Sequence, residues 1–116
     1  MAGEQPPISR RVRRIVCGYD LGALPTWWLM VHRRIKTGVE RLGLRVSVDL
    51  TPLSGLPQDV DLIVVAPELA SIARERAPQA DCVSIGSKQY PGAVIELLSR
   101  LGNEQQYTVE RVEDSP

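Results

Sequence analysis

Hydrophobic and polar positions along the chain switch between two periods. Val12, Ile15 and Val16 lead into Cys17 and Gly18, a β-branched run closed by glycine and therefore a short strand. Arg10, Arg11, Arg13 and Arg14 keep its start polar, as expected where a strand enters a domain from solvent. From Trp28 the apolar residues recur at Val31, Ile35, Val39 and Leu42, spacings of 3, 4, 4 and 3 that mark one face of a helix. Pro25 opens that helix, where its missing N–H costs nothing, and Gly43 stops it. Gly38 lies beside the stripe, where the helix is expected to press closely on a sheet. Leu44, Val46, Val48 and Leu50 then alternate with Arg45, Ser47 and Asp49, the period of a strand with one exposed face.

Pro52, Gly55 and Pro57 mark a loop over 51–59. The run 62–66 is continuous and β-branched, the mark of a strand covered on both sides. Pro67 and Glu68 start a shorter helix through about Arg76, stopped by Pro78. Cys82, Val83 and Ile85 form a fourth short strand ending at Gly86. Pro91 opens a last helix whose apolar face is Val94, Ile95, Leu97, Leu98 and Leu101. This order predicts an α/β fold: a four-stranded, mostly parallel sheet flanked by three helices in a three-layer sandwich. Right-handed crossovers make the first strand central, with order 2-1-3-4. Residues 1–10 read as a flexible leader, 11–102 as the single domain, and 103–116 as a polar, flexible tail whose docking candidates are Val109 and Val112.

Composition narrows the function classes. The 116 residues are 43% hydrophobic and 24% charged, with 14 basic and 14 acidic side chains. A balanced charge argues against a general nucleic-acid binder. No apolar run approaches the roughly 18 residues of a membrane span, and the polar N-terminus is unlike a signal peptide. A cytoplasmic domain is expected. Two cysteines, Cys17 and Cys82, and one histidine, His32, are too few for a zinc site or a disulfide framework. No metal or organic cofactor is implied.

One position stands out chemically. Cys17 ends the central strand and precedes a glycine-containing loop and a helix start, where loop amides and the helix dipole favour negative charge. Such a site lowers a thiol's pKa and holds phosphate oxygens. The other reading is a small buried side chain at a strand end. In-line phosphoryl transfer to a thiolate would need donors for three equatorial oxygens. The candidates are the backbone N–H groups of Gly18, Tyr19, Asp20, Leu21 and Gly22, and the Thr26 hydroxyl. Thr26 has an alternative role as helix cap, and Asp20 as a turn residue. A phosphatase of the tyrosine-phosphatase type lacks its arginine, because Ala23 occupies the sixth position after Cys17. Trp28 falls on the core stripe. Trp27 is one residue off it and is a candidate partner surface together with the basic face of His32, Arg33, Arg34 and Lys36, which also reads as a solvated face. Cys82 reads as core. Glu68 is placed either to face the site or to complement a helix dipole.

The segments Arg14-Ile15-Val16-Cys17-Gly18, Gly43-Leu44-Arg45-Val46-Ser47-Val48 and Asp59-Val60-Asp61-Leu62-Ile63-Val64-Val65-Ala66-Pro67-Glu68-Leu69-Ala70 resemble the IIB component of the bacterial sugar phosphotransferase system. The likeness covers about residues 12–101 and is nearest the small galactitol, ascorbate and lactose/cellobiose types. It implies a flavodoxin-like fold and a phosphoryl carrier, with Cys17 taking phosphate from a IIA phosphohistidine and passing it to a sugar entering through a IIC permease. A non-catalytic relative that uses the same fold for protein binding or assembly is the alternative. Family loops commonly read cysteine, two residues, glycine, then two small hydroxyl residues. Here Gly22 lies five residues after Cys17, the hydroxyl pair is reduced to Thr26, and Asp20 adds a negative charge.

Overall fold

Alternating and continuous apolar runs demand a sheet covered on both faces, and the chain builds one. A computed structural model describes residues 10–103 and 107–111. Its elements are β1 (Arg10–Arg11), β2 (Arg14–Tyr19), α1 (Thr26–Arg41), β3 (Ser47–Pro52), β4 (Leu62–Val65), α2 (Ala70–Arg76), β5 (Asp81–Ser84), α3 (Tyr90–Asn103) and β6 (Tyr107–Thr108). The main sheet runs β3-β2-β4-β5 with every pair parallel. Counting its four strands in chain order gives the expected 2-1-3-4.

The period of two sorts the core into two layers. Ile15 and Cys17 of β2, with Leu62 and Val64 of β4, pack against Trp28, Val31, Ile35 and Val39 of α1 and Val94, Leu97 and Leu101 of α3. Val16, Ile63 and Val65 face the other way, onto Ala73 and Ala77 at α2. All four residues of β4 are buried, as a doubly covered parallel strand requires. Burying each such side chain stabilises the fold by about 1.5–3 kcal/mol. Gly18 continues the alternation. A Cβ there would stand 2.6 Å from Leu53 Cδ2 and 3.1 Å from Val65 Cγ1, so glycine lets the 3-10 turn Leu53–Gly55 close over the sheet.

Charges fix the polar entry to β2. Asp61 Oδ2 accepts from the Arg13 and Arg14 backbone N–H groups at 2.8 and 3.1 Å, tying the start of β2 to the approach to β4. Arg14 also reaches Asp59 at 2.7 Å and Asp49 at 3.3 Å. These pairs are partly exposed and set register more than they add stability.

Several boundaries depart from the expected ones for local reasons. β2 continues past Gly18 to Tyr19. β3 starts at Ser47 and not at 44, because the Leu44 N–H donates to Val39 O (3.0 Å) in closing α1, around Gly43 at φ 69°. The strand then runs on to Pro52, which an edge strand tolerates. Gly38 presses on a helix and not on the sheet: a Cβ there would collide with the Leu98 side chain of α3. Ile95, expected on the apolar face of α3, is 68% exposed. Within the segment read as a polar tail, β6 pairs parallel with β1, and Tyr107 and Val109 enter the core. The rest of the expected leader and tail (1–9, 104–106 and 112–116, with Val112) lies outside the described residues.

Tyr107→Ala is expected to destabilise the domain by about 3 kcal/mol or more. Ile95→Ala should change stability by less than about 0.5 kcal/mol. Urea unfolding of the two variants measures both.

Candidate functional site

In an open parallel sheet, ligands bind beyond the carboxyl ends of the strands where the connections diverge. Here β2 leads through the loop 20–25 to α1, while its neighbour β4 leads through the turn Pro67–Leu69 to α2. Between them lies a cavity of about 160 Å³. Gly18, Tyr19 and Asp20 line it from β2, Trp27 and Trp28 from α1, and Glu68 from the turn. Among the described residues no lysine or arginine contributes to its wall. Its fixed charges are the carboxylates of Asp20 and Glu68.

The loop is closed by its own aspartate. Asp20 Oδ1 accepts the Gly22 N–H at 3.2 Å, and the Asp20 carbonyl accepts the Ala23 N–H at 2.9 Å. An Asx turn of this kind is the local alternative that aspartate offers the backbone. One of the expected phosphate donors, the Gly22 amide, is therefore occupied by a carboxylate.

Cys17 is not at the strand's end. It lies two residues inside β2, opposite Leu50 and Val64 of the neighbouring strands, with 0% exposure. Its side chain belongs to the apolar layer beneath α1 and α3. Burial, and then the nearby negative charge of Asp49, push the thiol up to about 12. The expected placement of Cys17 at the strand's end is corrected accordingly: alternation turns this side chain into the core before the loop begins. The strand-end residue is Tyr19, half-buried and on the cavity wall.

Of the other expected site residues, Gly18, Tyr19 and Asp20 come together, whereas Leu21 and Gly22 are not on the wall. Leu21 is 70% exposed. Thr26 neither caps α1 nor faces the cavity. Pro25 takes the cap position in extended backbone without a side-chain bond, and Thr26 lines a separate groove between α1 and α3. Trp28 is core, as expected, and its buried indole Nε1 has no hydrogen-bond partner among the described residues. Trp27 stands edge-on to it at 5.2 Å between ring centroids. His32 Nε2 donates to the Val48 carbonyl at 3.2 Å, away from the crevice. Cys82 is half-buried on the α2 side, where burial raises its pKa against the opposing effect of Arg74. The wall residues Ala66 and Leu69 escaped sequence reasoning, although Pro67 directly after an apolar strand was a usable marker of that strand's end. Among the described residues no cluster of His, Cys, Asp and Glu could hold a metal ion. No helix among them is long and apolar enough to cross a membrane.

No family model matches the chain. Its curated relatives are consistent in kind. The mannitol-specific EIICBA component of the phosphotransferase system of Escherichia coli K12 is 29% identical over 117 residues, covering 98% of this chain and 18% of that protein. Mannitol-specific EIICB components from Halalkalibacterium halodurans and Geobacillus stearothermophilus are each 26% identical, over 84% and 86% of this chain. The chain is related to the IIB type of phosphotransferase-system component. The likeness therefore stands at the level of the IIB type but not of the galactitol, ascorbate or lactose/cellobiose subtypes, since the relatives found are mannitol-specific. The chain spans about a fifth of the length of the relatives it matches.

Two outcomes test the placement of Cys17 in this IIB-type domain. Under native conditions iodoacetamide should modify Cys82 first, and Cys17 only as fast as the domain opens globally. Because the folded thiol titrates near 12 and an unfolded one near 9, unfolding releases a proton between these values, so stability falls as pH rises above 9. The loss is about 1.4 kcal/mol per pH unit, and Cys17→Ala should remove that part of the slope in urea titrations from pH 8 to 11.

Proposed function

We propose that the chain is a IIB-type domain that works beside a phosphotransferase permease in sugar uptake, and that it does so as a binding module without carrying phosphate on Cys17. The observation that carries this reading is the full burial of the Cys17 side chain beneath α1 and α3. A thiol whose pKa is pushed to about 12 holds a negligible thiolate fraction at neutral pH, and its sulfur lies out of reach of a phosphohistidine.

Two further features support it. The family spacing of cysteine, two residues, glycine, counted back from Gly22, falls on Tyr19, the residue that ends β2 at the crevice. The place of the nucleophile is then filled by a phenol. Asp20 and Glu68 also oppose a phosphate dianion in a cavity with no lysine or arginine on its wall among the described residues.

The relatives, being phosphotransferase-system components, support the coarser second reading of a phosphoryl carrier. In its finer form Cys17 would accept phosphate from a IIA partner and hand it to sugar at a IIC partner, with Gly18 to Gly22 amides and Thr26 as donors. That reading needs the Cys17 sulfur to leave the core. The test is incubation with a phosphorylated IIA protein, followed by detection of acid-labile label. No label on the wild-type chain is expected. Tyr19→Cys should create a third, fast-reacting thiol at the crevice, detected by alkylation. Label that disappears in Cys17→Ser would overturn the proposal in favour of the carrier.

A further inference from the structure

α1 and α3 lie side by side on one face of the sheet and meet at Gly38, where no Cβ separates the helix from Leu98. Outward of that contact they leave a groove of about 1030 Å³. Its floor includes Val94 and Leu98. Its walls carry apolar side chains that the core does not use: Leu29, Met30 and Ile95 are 42%, 44% and 68% exposed. Ile95 was expected to be buried on sequence periodicity, so its exposure at this groove is a departure that packing within the domain leaves unexplained.

The charge along the groove has one sign. Arg33, Arg34, Lys36 and Arg41 line it, and among the described residues no aspartate or glutamate does. Leu29, Arg33, Thr37 and Arg41 recur every fourth residue, so apolar and cationic groups share one stripe of α1. None of the four cations forms an ion pair among the described residues; Arg34 instead lies over the Tyr90 ring, 5.7 Å from its centroid.

We infer that this groove docks an acidic amphipathic helix from a partner protein. A trough between two parallel helices accepts the ridge of a third, and an apolar stripe on that helix would cover Leu29, Met30 and Ile95. Carboxylates flanking its stripe would meet Arg33, Lys36 and Arg41. A second copy of this face is the wrong occupant, because it would set four cations against four. A lipid surface is also a poorer match, since a flat layer touches the rims and leaves the floor at Leu98 uncovered. The inference rests on the outer face of α1 and α3, so it stands or falls independently of the crevice at Tyr19.

The probe is a synthetic helical peptide of about five turns with a leucine stripe flanked by glutamates. Its counterpart keeps the leucines and replaces every glutamate by lysine. Binding is read by fluorescence anisotropy of the labelled peptides, at low salt and at about 0.15 M salt. The glutamate peptide should bind, more weakly at the higher salt, and at least tenfold more tightly than the lysine peptide. Ile95→Asp and the double variant Arg33→Glu/Arg41→Glu should each weaken it tenfold or more while retaining the wild-type circular dichroism spectrum. These are exposed positions, so folding is expected to survive. Equal affinity for the two peptides, no binding of the glutamate peptide, or unchanged affinity in either variant would overturn the inference. Sedimentation with vesicles rich in anionic lipid, at concentrations where the glutamate peptide stays unbound, would overturn it in favour of a membrane surface.

Discussion

Strand β2 has an apolar layer on each face, so every residue along it is committed to one layer or the other. Ile15 and Cys17 go beneath α1 and α3, and Val16 and Gly18 turn toward α2 and the Leu53 turn. Only at Tyr19 does the strand emerge at its carboxyl end. A shift of one residue would drive the apolar set of one face into the other layer and present Arg14 to the interior. Arg14 is held at the opposite end by Asp49 and Asp59, and Asp61 holds the backbone beside it. The register of this strand thus decides which side chain can do chemistry and which is confined to packing.

The same constraint gives the crevice its character. A backbone that leaves the sheet after Tyr19 must turn at once, and Asp20 makes that turn by bonding the Gly22 amide. Two tryptophans from the first turn of α1 then form one side of the cavity, and Glu68 stands at the other. Aromatic walls with two carboxylates and no cation suit a phosphate dianion poorly. The IIB-type fold is retained around a strand-end loop whose wall, among the described residues, carries carboxylates and no cation, which supports the binding-module reading proposed above.

Most of the architecture was legible because it is written in periods. The stripe from Trp28 to Val39, the alternation around Val48 and the continuous run at β4 each specify an element and its buried face, and crossover handedness then leaves little choice of strand order. What escaped was decided by contacts far apart in sequence. Tyr107 sits in a polar context and enters the core beside the expected Val109 because β1 offers β6 a partner. Ile95 has helical periodicity with Leu98 but falls on the groove side of the contact with α1. The crevice was legible in location, but Cys17, expected at the end of its strand, lies two residues inside it. A cysteine before a glycine reads as a strand end, and nothing local reveals that Gly18 remains inside the sheet under Leu53. Thr26 was misplaced because Pro25 holds the cap position, which leaves Thr26 on the groove between α1 and α3.

Whether Cys17 packs or reacts is decided by the ionisation of its sulfur. Selective ¹³C labelling of cysteine, with the Cys17 Cβ resonance followed by NMR from pH 6 to pH 11 in reducing buffer, measures it directly. A resonance that stays at the thiol position until the domain itself begins to unfold is the expected result, with Cys17→Ala giving the assignment. A native-state titration of that resonance below pH 8 would contradict the account, and would return Cys17 to the crevice as a nucleophile.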